Sequence, residues 1–207
     1  MLANLPTFII HLIQSSGYAG IFILMALESA LIPIPSEVTM PFAGFLAASG
    51  NLSLLMVIFV GALGNLAGSL LAYAVGLMFS EHTIKNIIHK FGKIFLLTVD
   101  DYDKSISWFN KYGERVVFFT RILPAVRTFI SLPAGLFKMN LLKFSIYTFV
   151  GSLIWSGFLA YVGFTLEGKW NSLEPYYRKF ELGIVLVFVF LVLWYLNHKL
   201  KIVKFKK

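Results

Sequence analysis

The chain is 207 residues long, with 58% apolar residues, 14% charged residues and a formal net charge of +8. A soluble domain carries roughly half apolar and a quarter charged residues, so this composition excludes an ordinary soluble protein and predicts an all-α integral membrane protein, one membrane domain over residues 1–207. There is no cysteine, hence no disulfide and no thiolate metal site. His11, His82, His89 and His198 fall in no metal-ligand spacing, so no metal, cofactor or catalytic centre is expected.

In chain order, residues 1–16 hold a weakly amphipathic segment, Leu5 to Ile13, without the basic n-region of a cleavable signal peptide. From Gly17 to Ala48 the chain is almost wholly apolar, interrupted by Glu28, Pro33, Pro35, Glu37 and Pro41. Prolines forbid a straight helix there, and the stretch is long for one span and short for two. A re-entrant hairpin with its turn at Ile32 to Ser36 is predicted. Backbone of that kind is tolerated at membrane depth only where protein or water covers it. Leu54 to Phe79 reads as a clean span with Gly64, Gly68, Ala72 and Gly76 on one face, which lets another helix approach closely. Asn65 beside that face is a candidate interhelical hydrogen bond.

Residues 80–111 are the most polar. Ile84, Ile87, Ile88 and Phe91 follow amphipathic helical spacing, and Asp100, Asp101 and Asp103 are placed to open a second short helix, with acids where a helix N-terminus favours them. Both helices are expected along the membrane surface. Val116 to Phe137 is a second apolar stretch, broken by Arg121, Pro124, Arg127 and Pro133; Phe144 to Leu166 is a second clean span with Ser152, Ser156 and Ala160 on its small face; residues 182–198 form a last span. No Lys or Arg precedes Lys85, whereas Lys199, Lys201, Lys204, Lys206 and Lys207 crowd the tail. The positive-inside rule puts that tail in the cytoplasm, on a protein too apolar for a nucleic-acid partner.

The halves resemble each other. Pro41-Phe42-Ala43-Gly44, Asn51-Leu52 and Leu71-Ala72-Tyr73-Ala74-Val75-Gly76 in residues 17–79 return as Pro133-Ala134-Gly135, Asn140-Leu141 and Leu159-Ala160-Tyr161-Val162-Gly163 in residues 112–166. A hairpin plus one span ends on the opposite membrane face from its start, so two such units in sequence have inverted topology. That arrangement marks transporters with a midplane site between interrupted helices. Each intramembrane charge costs roughly 2.5–3.5 kcal/mol, and four cost on the order of 10 kcal/mol, so Glu28, Glu37, Arg121 and Arg127 need partners, water or a ligand. Folding back at Pro33 and Pro35, and at Pro124, lets all four converge. They then form either a buried lock between the hairpins or a site in which the arginine forks hold phosphate oxygens and a poorly hydrated glutamate exchanges protons.

Glu28 with Pro33-Ile34-Pro35-Ser36-Glu37, and Phe119-Thr120-Arg121-Ile122-Leu123-Pro124-Ala125-Val126-Arg127-Thr128 with Pro133-Ala134-Gly135, resemble the signature of the DedA membrane protein family, which shares the SNARE-associated or VTT domain. The resemblance covers about residues 17–166. It implies two facing re-entrant hairpins in an inverted repeat, and movement of lipids such as undecaprenyl phosphate or phosphatidylethanolamine across the bacterial inner membrane, with proton coupling in some members. Family acids match Glu28 and Glu37; family arginines match Arg121 and Arg127. Many members have Gly-Asp where this chain has Ser36-Glu37.

The resulting expectation is a proton-coupled lipid translocase of the bacterial plasma membrane whose partners are phosphate headgroups and protons. Arg121 and Arg127 bind phosphate, Glu28 and Glu37 couple protons or pair with the arginines, and Pro33, Pro35, Pro124, Pro133 and Gly135 shape the hairpins. An ion-coupled exchanger of a small solute and a non-transporting scaffold are the alternatives. An enzyme is not expected, since neither hairpin contains His, Cys or Asp to serve a nucleophile.

Overall fold

The computed structural model describes residues 5–32, 34–79, 83–86, 99–121 and 126–165. Pro33, Pro124, residues 80–82 and 87–98 of the polar segment, and the 182–198 span lie outside the described residues. The described part is helical throughout: α1 Leu5–Ser16, α2 Tyr18–Ser29, α3 Ser36–Ala48, α4 Leu54–Met78, α5 over 83–86, α6 Val99–Thr120, α7 Val126–Phe129, α8 Ser131–Leu136 and α9 Leu141–Thr165.

Local chemistry sets the breaks. Gly17 separates α1 from α2 at φ 55°, a left-handed conformation that glycine adopts without a Cβ clash. The 30–35 turn contains Leu31 at φ 73°, a rare conformation for a branched side chain, and Pro35 then stands at the N-cap of α3. The limbs of this hairpin have 12 and 13 residues. At 1.5 Å per residue each is about 18–20 Å long, short of the ~30 Å of hydrocarbon in a bilayer. α4 and α9, at 25 residues each, reach about 37 Å and are apolar enough to span. They also expose large apolar side chains outward, among them Leu55, Leu71, Met78, Leu142 and Phe158, as a lipid-facing surface requires.

The second half differs from the sequence reading in its first limb. Residues 99–120 form one 22-residue helix running through the expected boundary at 111/112. Gly113 permits this: its missing Cβ leaves room for the Phe109 ring, which such an atom would approach to 2.7 Å. The return limb is α7 followed by α8, with Ile130 still right-handed helical at the joint. Pro133 supplies no N–H for the Phe129 carbonyl, which accounts for the interruption there. Asn140 then caps α9, its Oδ1 accepting from the Lys143 N–H at 3.1 Å.

The two halves interlock through reciprocal glycine contacts. A Cβ on Gly44 of α3 would strike the Ala160 carbonyl of α9, and one on Gly163 of α9 would strike the Pro41 carbonyl of α3. Likewise a Cβ on Gly135 of α8 would strike the Tyr73 carbonyl of α4, and one on Gly76 of α4 would strike the Leu132 carbonyl of α8. In both pairings glycine meets the carbonyl three residues before the partner glycine. The same logic seats α2 on α4, where Gly64 and Gly68 face the carbonyls of Phe22 and Ala26. Side chains have no room in these contacts. Gly163→Val is therefore expected to cost at the upper end of ~1–3 kcal/mol or more, read as loss of the monodisperse peak in fluorescence-detected size exclusion. Gly157→Ala, next to ordinary contacts with Ile58, should leave that peak intact.

Candidate functional site

The ends of the short helices and the middles of the long helices meet at one buried polar cluster. Glu28 closes α2, Ser36 opens α3, Arg121 directly follows α6, Arg127 lies in α7 and Ser131 opens α8. α4 brings Ser69 and α9 brings Trp155, each a little past halfway along its helix. Arg121, Arg127 and Glu28 are 2%, 4% and 6% exposed, so their charges are answered inside the protein.

The arginines are answered differently. Arg127 Nη2 donates to both Glu28 Oε1 and Ser36 Oγ, tying α7 to the end of α2 and the start of α3. Arg121 contacts no carboxylate among the described residues. Its Nη1 donates to Ser69 Oγ at 2.9 Å and to the Arg127 carbonyl at 3.0 Å, and its Nη2 donates to Ser131 Oγ at 3.1 Å. The Arg121 guanidinium also lies 5.4 Å from the Phe144 ring centre, and that of Arg127 lies 5.8 Å from the Trp155 ring centre, within the range where a ring face attracts a cation.

Three charged-group atoms are left over. Glu28 Oε2, Arg121 Nε and Arg127 Nε are buried without a hydrogen-bond partner, as is the Trp155 indole Nε1. A buried charge with unused bonding capacity is costly. The contacting set is two cations to one anion, which gives the cluster an excess of positive charge and free N–H donors.

Of the four charges expected to converge, Glu28, Arg121 and Arg127 do so. Glu37 is half-buried in the first turn of α3 and forms no ion pair among the described residues. It sits where a helix N-terminus favours a carboxylate, while Glu28 and Ser36 occupy Arg127 Nη2. Pro35 shapes the first turn and Pro133 and Gly135 shape the second limb as described above; Pro33 and Pro124 lie outside the described residues. Asn65 does bond across helices, its Oδ1 accepting from Ser29 Oγ at 2.6 Å. Ser69, Ser131 and Trp155 were not foreseen from the sequence. For Ser69 the available signal was its place beside Gly68 on the close-packed face of α4.

The VTT domain family model matches residues 34–165. The chain is 30% identical to the undecaprenyl phosphate transporter A of Staphylococcus aureus, over 94% of this chain and 98% of that protein. It is 30% identical to the undecaprenyl phosphate transporter A of Bacillus subtilis over the full length of both. It is 32% identical to an alkaline phosphatase-like protein of Lactococcus lactis, over 89% of each. No solved structure matches it. With the arginine and glutamate motifs meeting at one buried cluster, a family model covering well over half of the chain and relatives aligned end to end, the chain belongs to the DedA family of VTT-domain membrane proteins.

Proposed function

We propose that this protein is a carrier that moves a phosphate-bearing lipid across the bacterial plasma membrane. Undecaprenyl phosphate is the first candidate and phosphatidylethanolamine the second. The observation that carries this reading is Arg121, a buried guanidinium answered, among the described residues, by hydroxyls and a carbonyl rather than a carboxylate. A phosphate monoester supplies the missing anion and fits the planar donor fork. The name of the two transporter relatives supports the choice of undecaprenyl phosphate.

The reciprocal glycine contacts support an inverted repeat of two re-entrant hairpins, each followed by a span, with the cluster near the bilayer midplane. Lipid chains stay in the bilayer while the headgroup passes through the polar centre, as in carriers built from interrupted helices. Glu28 holds Arg127 in the empty state. Glu37, with no ion pair among the described residues, exchanges the coupling proton, so that proton uptake preserves the positive excess that attracts phosphate. In this reading the C-terminal tail faces the cytoplasm.

The site favours carriage over hydrolysis. Ser36 is the hydroxyl beside the acid, but its Oγ accepts from Arg127 and Glu28 is engaged by the same guanidinium, so the two are not set up as the nucleophile and base that attack on phosphorus requires. A small-solute exchanger would use the same cluster and differs in its cargo. In proteoliposomes containing undecaprenyl phosphate, wild-type protein is expected to equilibrate the lipid between leaflets. Arg127→Lys keeps the charge, loses the fork and should slow movement by about ten-fold, equivalent to ~1.4 kcal/mol. Glu37→Gln should retain exchange and lose its acceleration by a pH gradient. Uptake of soluble phosphate without lipid movement would transfer the assignment to the exchanger.

A further inference from the structure

The two halves are not equal at the position facing the hairpin turns. Gly64 and Gly151 lie twelve residues before Gly76 and Gly163, and they make matching contacts. A Cβ on Gly64 would meet Phe22 O at 2.5 Å and Met25 Cβ at 3.0 Å; one on Gly151 would meet Phe118 O at 3.4 Å and Arg121 Cβ at 2.6 Å. Eight residues before Gly76 and Gly163 stand Gly68 and Trp155. Gly68 is sealed against the Ala26 carbonyl and Ser29. At the equivalent place in the second half the chain carries its bulkiest side chain, beneath Arg127, with the indole N–H buried and unpartnered.

Packing alone does not explain that choice. A filler is satisfied by phenylalanine, whereas a buried indole N–H without a partner carries a desolvation penalty. Indole N–H is a donor only, so what it lacks is an acceptor. The neighbouring cluster also has unused donors, Arg121 Nε and Arg127 Nε. An acceptor-rich anion is what these groups share.

We propose that Trp155 is a headgroup-contacting residue: its indole N–H donates to an oxygen of the phosphate group held by Arg127, while its ring face keeps the Arg127 guanidinium in place. This rests on the phosphate-carrier reading and deepens it. It assigns to α9, a long helix, a direct bond to the cargo that the hairpins hold, so that bound phosphate links the two.

The test uses full-length protein in lipid nanodiscs with farnesyl phosphate as probe, farnesol as uncharged control and inorganic phosphate as competitor. Trp155→Phe keeps an aromatic ring under Arg127 and removes the N–H donor. Its Kd for farnesyl phosphate should rise about ten-fold, the value of one hydrogen bond to a charged group, with farnesol binding unchanged. In protein labelled with 15N-tryptophan, the indole resonance that Trp155→Phe deletes should move downfield on adding farnesyl phosphate, a response that does not depend on any variant folding. If Trp155→Phe binds like wild type while Arg121→Met loses the probe, or if that resonance does not move, the Trp155 assignment is overturned and phosphate binding stands. Equal weakening for farnesol reduces Trp155 to packing and also overturns it. If wild type fails to bind farnesyl phosphate, both readings fall. Displacement of farnesyl phosphate by inorganic phosphate at equal concentration, with the same Trp155 dependence, keeps the N–H role and makes the free anion the cargo.

Discussion

Arg121→Met should yield a protein at least as thermally stable as wild type that has lost about 100-fold in affinity for a phosphate-bearing lipid, the equivalent of ~2.7 kcal/mol. The stability half follows from what Arg121 now touches. A cation 2% exposed carries a desolvation penalty of several kcal/mol, offset here by bonds to Ser69, Ser131 and the Arg127 carbonyl and, among the described residues, by no carboxylate. Methionine is close in volume and adapts to irregular space. The structure already holds Met25, fully buried, at the matching place beside Gly64. The affinity half follows from losing a two-pronged donor, where hydrogen bonds to charged groups contribute about 1.5–3 kcal/mol each. Melting curves and lipid binding on the same preparations check both halves. A group retained at the expense of stability is the signature of function.

Arg127→Gln should behave in the opposite way. It leaves Glu28, 6% exposed, as a buried carboxylate without its cation, and breaking a buried pair in this manner costs about 3–5 kcal/mol. Glu28→Gln with Arg127→Gln removes both charges and should recover most of that loss. The coupling energy read from the four-member cycle then measures how firmly the ion pair ties α2 to α7. Transport separates lock from site: the double variant should fold and still fail to move lipid. A folded, fully active double variant would identify the pair as a fastener alone.

Much of this was legible in the sequence because charge and proline are loud in an apolar background. Glu28, Arg121 and Arg127 stood out as intramembrane charges, and Pro35 and Pro133 marked where helices had to break. The glycine repeat was visible as spacing, yet its pairing was not. That Gly44 meets Ala160 and Gly135 meets Tyr73 depends on which half packs on which, and spacing along one chain carries no such information. Glu37 looked equivalent to Glu28 because both are glutamates near the first turn. Only one carboxylate finds Arg127 Nη2, and three-dimensional order decided which. The serines around Arg121 were silent for another reason. Serine is common on close-packed faces of membrane helices, so Ser69 and Ser131 acquire meaning only when a guanidinium points at them. The single α6 helix across residues 99–120 was obscured by the change in polarity along it, which reflects surroundings rather than a break in backbone.

On the proposed reading, two buried arginines, one of them with no carboxylate partner among the described residues, hold a lipid phosphate. Native mass spectrometry on wild type and Arg121→Met, purified in parallel by the same gentle detergent extraction, addresses it most directly. Wild-type protein should carry a phosphate-bearing lipid through the spectrometer, and an equally folded Arg121→Met should arrive without it. The same lipid at the same occupancy on both would contradict the assignment.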